Sequence, residues 1–176
     1  MNILERLPVP DREAEIAGPD GRPFVGPDGS PLIVKQFQVV AWASVSAKDE
    51  LKYEPRFARF PAVIDTGLNH NFAITQEQWD FWTGLTPVPA GSSIEMGGRL
   101  LFPKAAQVWI HPNEPGRETP SGQDAIRLRV PEGVIVYPTG MPNPARLPTL
   151  GLRALVRNGL KLIIDGQQRD LTLSSD

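Results

Sequence analysis

The chain has 176 residues, 40% of them apolar, which is enough for one domain with a real core and too short for two. Its formal net charge is -2 and its 18 Lys and Arg are scattered, so neither nucleic acid nor a membrane surface is an expected partner. The absence of cysteine excludes a disulfide framework, a thiolate zinc site and a cysteine nucleophile.

The first residues run into a polar, Pro-rich stretch rather than an apolar signal segment, and no later run reaches the length of a membrane span, so a cytoplasmic protein is expected. Two related segments follow, Gly18-Pro19-Asp20-Gly21-Arg22-Pro23 and Gly26-Pro27-Asp28-Gly29-Ser30-Pro31. In each, proline presets φ, aspartate caps its own turn and glycine is free to take a positive φ, so each predicts a tight turn. Residues 1–31 therefore read as a loose Pro/Gly-rich N-terminal arm, and 32–176 as a single domain.

The run at 32–45 is rich in β-branched and aromatic residues and predicts one long strand or two. After a charged connection at 48–59, Phe60-Pro61-Ala62-Val63-Ile64 forms a short apolar strand that stops at Asp65-Thr66-Gly67. Thr75 and Gln78 have the spacing of a capping box, and Gly84 closes the helix that carries Trp79, Phe81 and Trp82, aromatics expected to pack on the sheet. Strands at 94–96 and 99–102 flank Gly97-Gly98, the tip of a hairpin, and a further strand covers 106–110. Residues 111–124 predict an exposed, mobile loop. Strands at 126–130 and 133–137, a Pro-rich link, a short helix at 152–158 closed by Gly159, and a strand at 160–164 complete the pattern. Nineteen prolines and 16 glycines punctuating such runs make the chain mainly β.

A carboxylate and a glycine at the end of a buried strand form a functional-site pattern. Ala62-Val63-Ile64-Asp65-Thr66-Gly67, followed by Phe72-Ala73-Ile74, the Thr75-capped helix and Gly84-Leu85, resembles the first half of the retropepsin-like aspartic proteases. Thr149-Leu150-Gly151, the helix after it and Leu160-Lys161-Leu162-Ile163-Ile164 are similar to that family's hydrophobic-hydrophobic-Gly motif, closing helix and last strand. The two motifs stand in the family's order, about 85 residues apart, and the resemblance covers 32–173.

The resemblance implies a closed acid-protease barrel with one or two short helices, one domain per chain, working as a homodimer. Peptide hydrolysis of this type uses two carboxylates so close that they share a proton. One Asp-Thr-Gly supplies half of that machine, so Asp65 would meet Asp65 of a second copy, with a peptide or protein as substrate and no cofactor. It further implies a hydrogen-bonded grip between loops for Thr66, a close backbone approach for Gly67 and a packing role behind the loop for Gly151. Met96, Gly97 and Gly98 stand where the family carries its flap, with the loop at 112–124 as the competing lid. Leu68 departs from the small residue usual after the motif, and would narrow the substrate pocket or plug it; Asn69 is compatible. The alternative is a retropepsin-like domain that binds peptides or assembles without cutting them.

Other chemistries find less support. His70 and His111 are the only histidines and have no ligand spacing, so no metal is expected. No Gly-x-Ser-x-Gly elbow is present, and the Asp-Gly pairs at 20, 28 and 165 make no calcium loop.

Overall fold

A computed structural model describes residues 2–96, 98–141 and 147–175. Chain order gives strands β1 (Asn2–Pro8), β2 (Ala14–Glu15), β3 (Ile33–Val34), β4 (Val40–Ala47), β5 (Phe60–Asp65) and β6 (Phe72–Thr75), then helix α1 (Gln76–Thr83). There follow β7 (Ile94–Met96), β8 (Arg99–Leu101), β9 (Ala106–His111), β10 (Ile126–Leu128), β11 (Ile135–Tyr137) and β12 (Thr149–Gly151), then α2 (Leu152–Arg157), β13 (Leu160–Asp165) and β14 (Asp170–Ser175). Among the described residues strand accounts for 42% and helix for 8%, so the fold is mainly β with two short helices.

The largest sheet has the order β10-β9-β4-β5-β12-β6-β11 and curls into a half-barrel. Its first four strands are antiparallel neighbours. β12 then wedges between β5, to which it is parallel, and β6, to which it is antiparallel. β4 is buried along nearly its whole length because both of its faces are covered. Residues 48–59 form part of that cover, with Tyr53 ring-to-ring against Trp109 at 5.9 Å and His111 at 5.0 Å.

Helix α1 follows its local rules closely. The Thr75 side chain accepts from the Gln78 N–H while the Gln78 side chain accepts from the Thr75 N–H, and Gly84 ends the helix at φ 61. Trp79 and Trp82, three residues apart, share the inward face, and Trp82 stacks on Phe60 at 4.9 Å. Phe81 lies off that face and is 54% exposed, so it does not pack on the sheet with the two tryptophans.

Residues 2–31 are mostly exposed from residue 11 on, but they are anchored to the core rather than loose. Ile3, Leu4, Leu7 and Ile16 belong to the main core, and Phe24 meets Trp42 edge-on at 5.2 Å. The two Pro-Asp-Gly turns make this possible. Asp20 accepts from the Arg22 N–H and Asp28 from the Ser30 N–H, while Gly21 and Gly29 take φ of 77 and 78. Each turn sends the chain back, so that Phe24 N–H bonds Ile16 and Leu32 N–H bonds Phe24, both at 2.8 Å.

The segment at 111–124 is largely exposed after residue 113, as expected, but its start is anchored. His111, Pro112 and Asn113 are buried, and the Asn113 side-chain amide donates to the carbonyls of Glu5, Glu114 and Arg117. Finally, the strand read at 160–164 is not the last. β14 pairs with β13 over six residues and with β1, giving a three-stranded sheet of order β1-β14-β13.

Candidate active site

The site is built on the end of β5. Phe60, Ala62 and Val63 are buried, and the strand delivers Asp65 half-buried at the margin of the core. There the chain turns on its own aspartate: Asp65 Oδ1 accepts from the Gly67 N–H at 2.8 Å, and the Leu68 N–H donates to the Asp65 carbonyl at 3.2 Å. A Cβ at residue 67 would lie 3.2 Å from that carboxylate oxygen, a tight contact that Asp65 would have to ease by a small shift. Thr66 and Gly67 are exposed.

β12 supports the loop from behind. It runs parallel to β5, with Gly151 in register with Asp65. The Gly151 N–H donates to the Asn71 carbonyl and the Leu152 N–H to the Leu68 carbonyl, both at 3.0 Å. A Cβ on Gly151 would collide with the His70 carbonyl oxygen and come within 2.7 Å of that of Leu68. The backbone thus approaches so closely that only glycine fits.

The β7–β8 hairpin and the loop meet the same apolar cluster. Ala73, Leu101 and Ile135 form a small buried cluster, against which Leu68, Ile94, Met96 and Tyr137 pack. Leu68 is thus half-buried against this cluster. Gly98 takes φ 73 in the turn, and Gly97 lies outside the described residues. Asn69 is exposed on the loop. The competing segment at 112–124 is held to β1 instead, through Asn113 and the Gly116 N–H on Glu5.

Tyr137 is a residue that local sequence patterns do not mark. Its phenol is held above the ordinary tyrosine range by burial and by the negative charge of Asp65. β11 brings it to the site by pairing in parallel with β6, Tyr137 opposite Thr75.

Beside the loop is a cavity of about 300 Å³ lined by His70, Asn71, Ile94, Glu132 and Arg153. Asn71 donates to Glu132 at 2.8 Å, and Arg157 donates to the other Glu132 oxygen at 2.5 Å. These bonds, the Asn71 amide first, keep the Glu132 carboxyl below its usual range. Burial lowers the His70 imidazole, with Arg153 adding to the effect and Glu132 opposing it. Among the described residues no three His, Asp or Glu side chains gather into a set that could hold a metal ion. No helix among them is long and apolar enough to cross a membrane.

No family model, curated protein or solved structure matches this chain.

Proposed function

We propose that this chain is one half of a retropepsin-type aspartic endopeptidase, completed as a closed acid-protease barrel by a second copy in a symmetric homodimer. The observation that carries the reading is the join between Asp65 and Gly151, a carboxylate at a strand end backed by a glycine that admits no side chain. The exposed Thr66 and Gly67 leave that loop free to meet its symmetry mate, Thr66 gripping across the two-fold axis. Two Asp65 carboxylates at that contact would hold one proton between them. The ionised one takes a proton from water, and the protonated one gives its own to the scissile carbonyl oxygen as the water adds. The substrate lies extended between the loop and the β7–β8 hairpin, pairing as a strand with its backbone. No cofactor enters this chemistry.

A second reading has its own observation. Leu68 follows Asp65-Thr66-Gly67 and packs against the cluster of Ala73, Leu101 and Ile135, where a small residue would leave room for a substrate side chain. On that reading the domain binds or assembles without cutting.

The deciding experiment incubates the protein and its Asp65→Asn variant with an unstructured protein at mildly acidic pH. Cleavage by the parent and none by the variant supports the endopeptidase. Equal cleavage by both overturns it, and binding without cleavage by either supports the second reading.

A further inference from the structure

We propose that two copies of this chain pair through the outer edge of β13, antiparallel about a two-fold axis at Ile163. The proposal rests on the dimeric reading above and names the surface that makes it.

The sheet β1-β14-β13 has two edges of different character. β1 is protected: its pairing with β14 shifts register twice, Arg6 sits at φ 48, and the strand ends at Pro8. Bulges and proline are what block an edge from accepting another strand. β13 has none of these devices. It pairs with β14 through six consecutive residues without a shift, so its other side offers a regular row of backbone donors and acceptors. Ile163 and Ile164 on this edge strand are 45% and 66% exposed. Helix α2 packs beside β13 and adds Leu152 and Val156, four residues apart and 41% and 69% exposed.

Charge complementarity selects the occupant. Lys161, Ile163 and Asp165 alternate onto one face of the strand. With Ile163 facing the partner's Ile163, Lys161 faces the partner's Asp165 and Asp165 faces the partner's Lys161, two opposite-charge pairs flanking an apolar centre. On the other face Ile164 meets the partner's Leu162, covering the more exposed of the two isoleucines. Among the described residues neither Lys161 nor Asp165 is engaged in an ion pair. An edge that is its own complement is what an isologous interface requires. The edge is also near the candidate site, since the six residues of α2, about 9 Å of helix, join Gly151 to β13.

The test reads association by sedimentation, with no dependence on proteolysis. Wild-type protein and Asp65→Asn should both sediment as dimers at micromolar concentration. Lys161→Glu and Asp165→Lys each set like charges opposite one another twice, and each should weaken the dimer about 100-fold. Mixed together they regain opposite charges at both positions, so two monomeric variants should form a heterodimer. Asp165 also caps the β13–β14 turn through the Gln167 and Gln168 N–H groups, so a thermal melt checks that variant. Ile163→Asp leaves the turn alone and should likewise be monomeric. A wild-type monomer at concentrations up to about 100 μM overturns the proposal. So do single variants that dimerise as the parent does, or a mixture that stays monomeric. Charge rescue in a protein that cuts nothing keeps the interface and removes only the protease.

Discussion

Gly151 lies in parallel register with Asp65, and the carbonyls of His70 and Leu68 fill the space where its side chain would stand. The Asp65 loop and β12 are thereby one rigid unit.

Gly151→Ala should accordingly cost about 3 kcal/mol of stability, since the loop must move off β12 or break its bonds to Gly151 and Leu152. A urea melt measures it. Stability within about 0.5 kcal/mol of the parent would mean that the contact yields easily.

Leu68→Ala tests the role of the residue after the motif. Truncating this half-buried side chain removes packing against the cluster of Ala73, Leu101 and Ile135 at a cost of about 1 kcal/mol and makes room close to Asp65. Peptide cleavage should rise roughly tenfold, mainly through KM. A variant that loses stability and gains no turnover would show that Leu68 is structural alone.

His111 makes stability depend on pH. It is buried, bonded through Nε2 to the Ser44 hydroxyl at 2.8 Å, and lowered from 6.5 to about 4 by burial first and by the Arg59 charge second. Between those values the unfolded chain takes up a proton that the folded chain refuses. The His111 contribution is therefore complete above pH 6.5 and is lost as pH falls toward 4, by about 3 kcal/mol at most. His111→Gln should flatten stability across that window, as measured by denaturant melts at several pH values. An unchanged slope would place the titration elsewhere.

Tyr137 reports on Asp65 directly. The Asp65 charge opposes formation of the phenolate, so Asp65→Asn should lower the Tyr137 pKa toward its ordinary value of 10.0, leaving the effect of burial. Ultraviolet or NMR titration reads the shift. An unmoved Tyr137 would mean that its phenol and the carboxylate do not sense each other.

The parts of the fold legible from sequence are those governed by neighbours in the chain. The Thr75 box and the Gly84 terminator specify α1 through contacts within nine residues, and the Gly98 turn likewise defines the β7–β8 hairpin. Asp65 was visible because an apolar strand ends on it. What escaped depends on distant partners. β1 looks like a polar lead-in until Leu171 and Leu173 of β14 are brought beside it. Tyr137 reads as one more strand residue, and only the parallel pairing of β11 with β6 carries it toward Asp65. The Pro-Asp-Gly turns were legible as turns, but that they fold Ile16 and Leu32 into the core depends on surfaces much later in the chain.

The pairing of β1 with β14 also sets an order of events in synthesis. Asn2 opposes Ser174 and Pro8 opposes Asp170, so β1 has its partner far along the chain. At ordinary rates of translation β1 waits roughly ten to thirty seconds for β14, with Ile3, Leu4 and Leu7 uncovered meanwhile. The apolar side of β1 thus stays open until β14 has been made, and the closing of that sheet is a late step in folding.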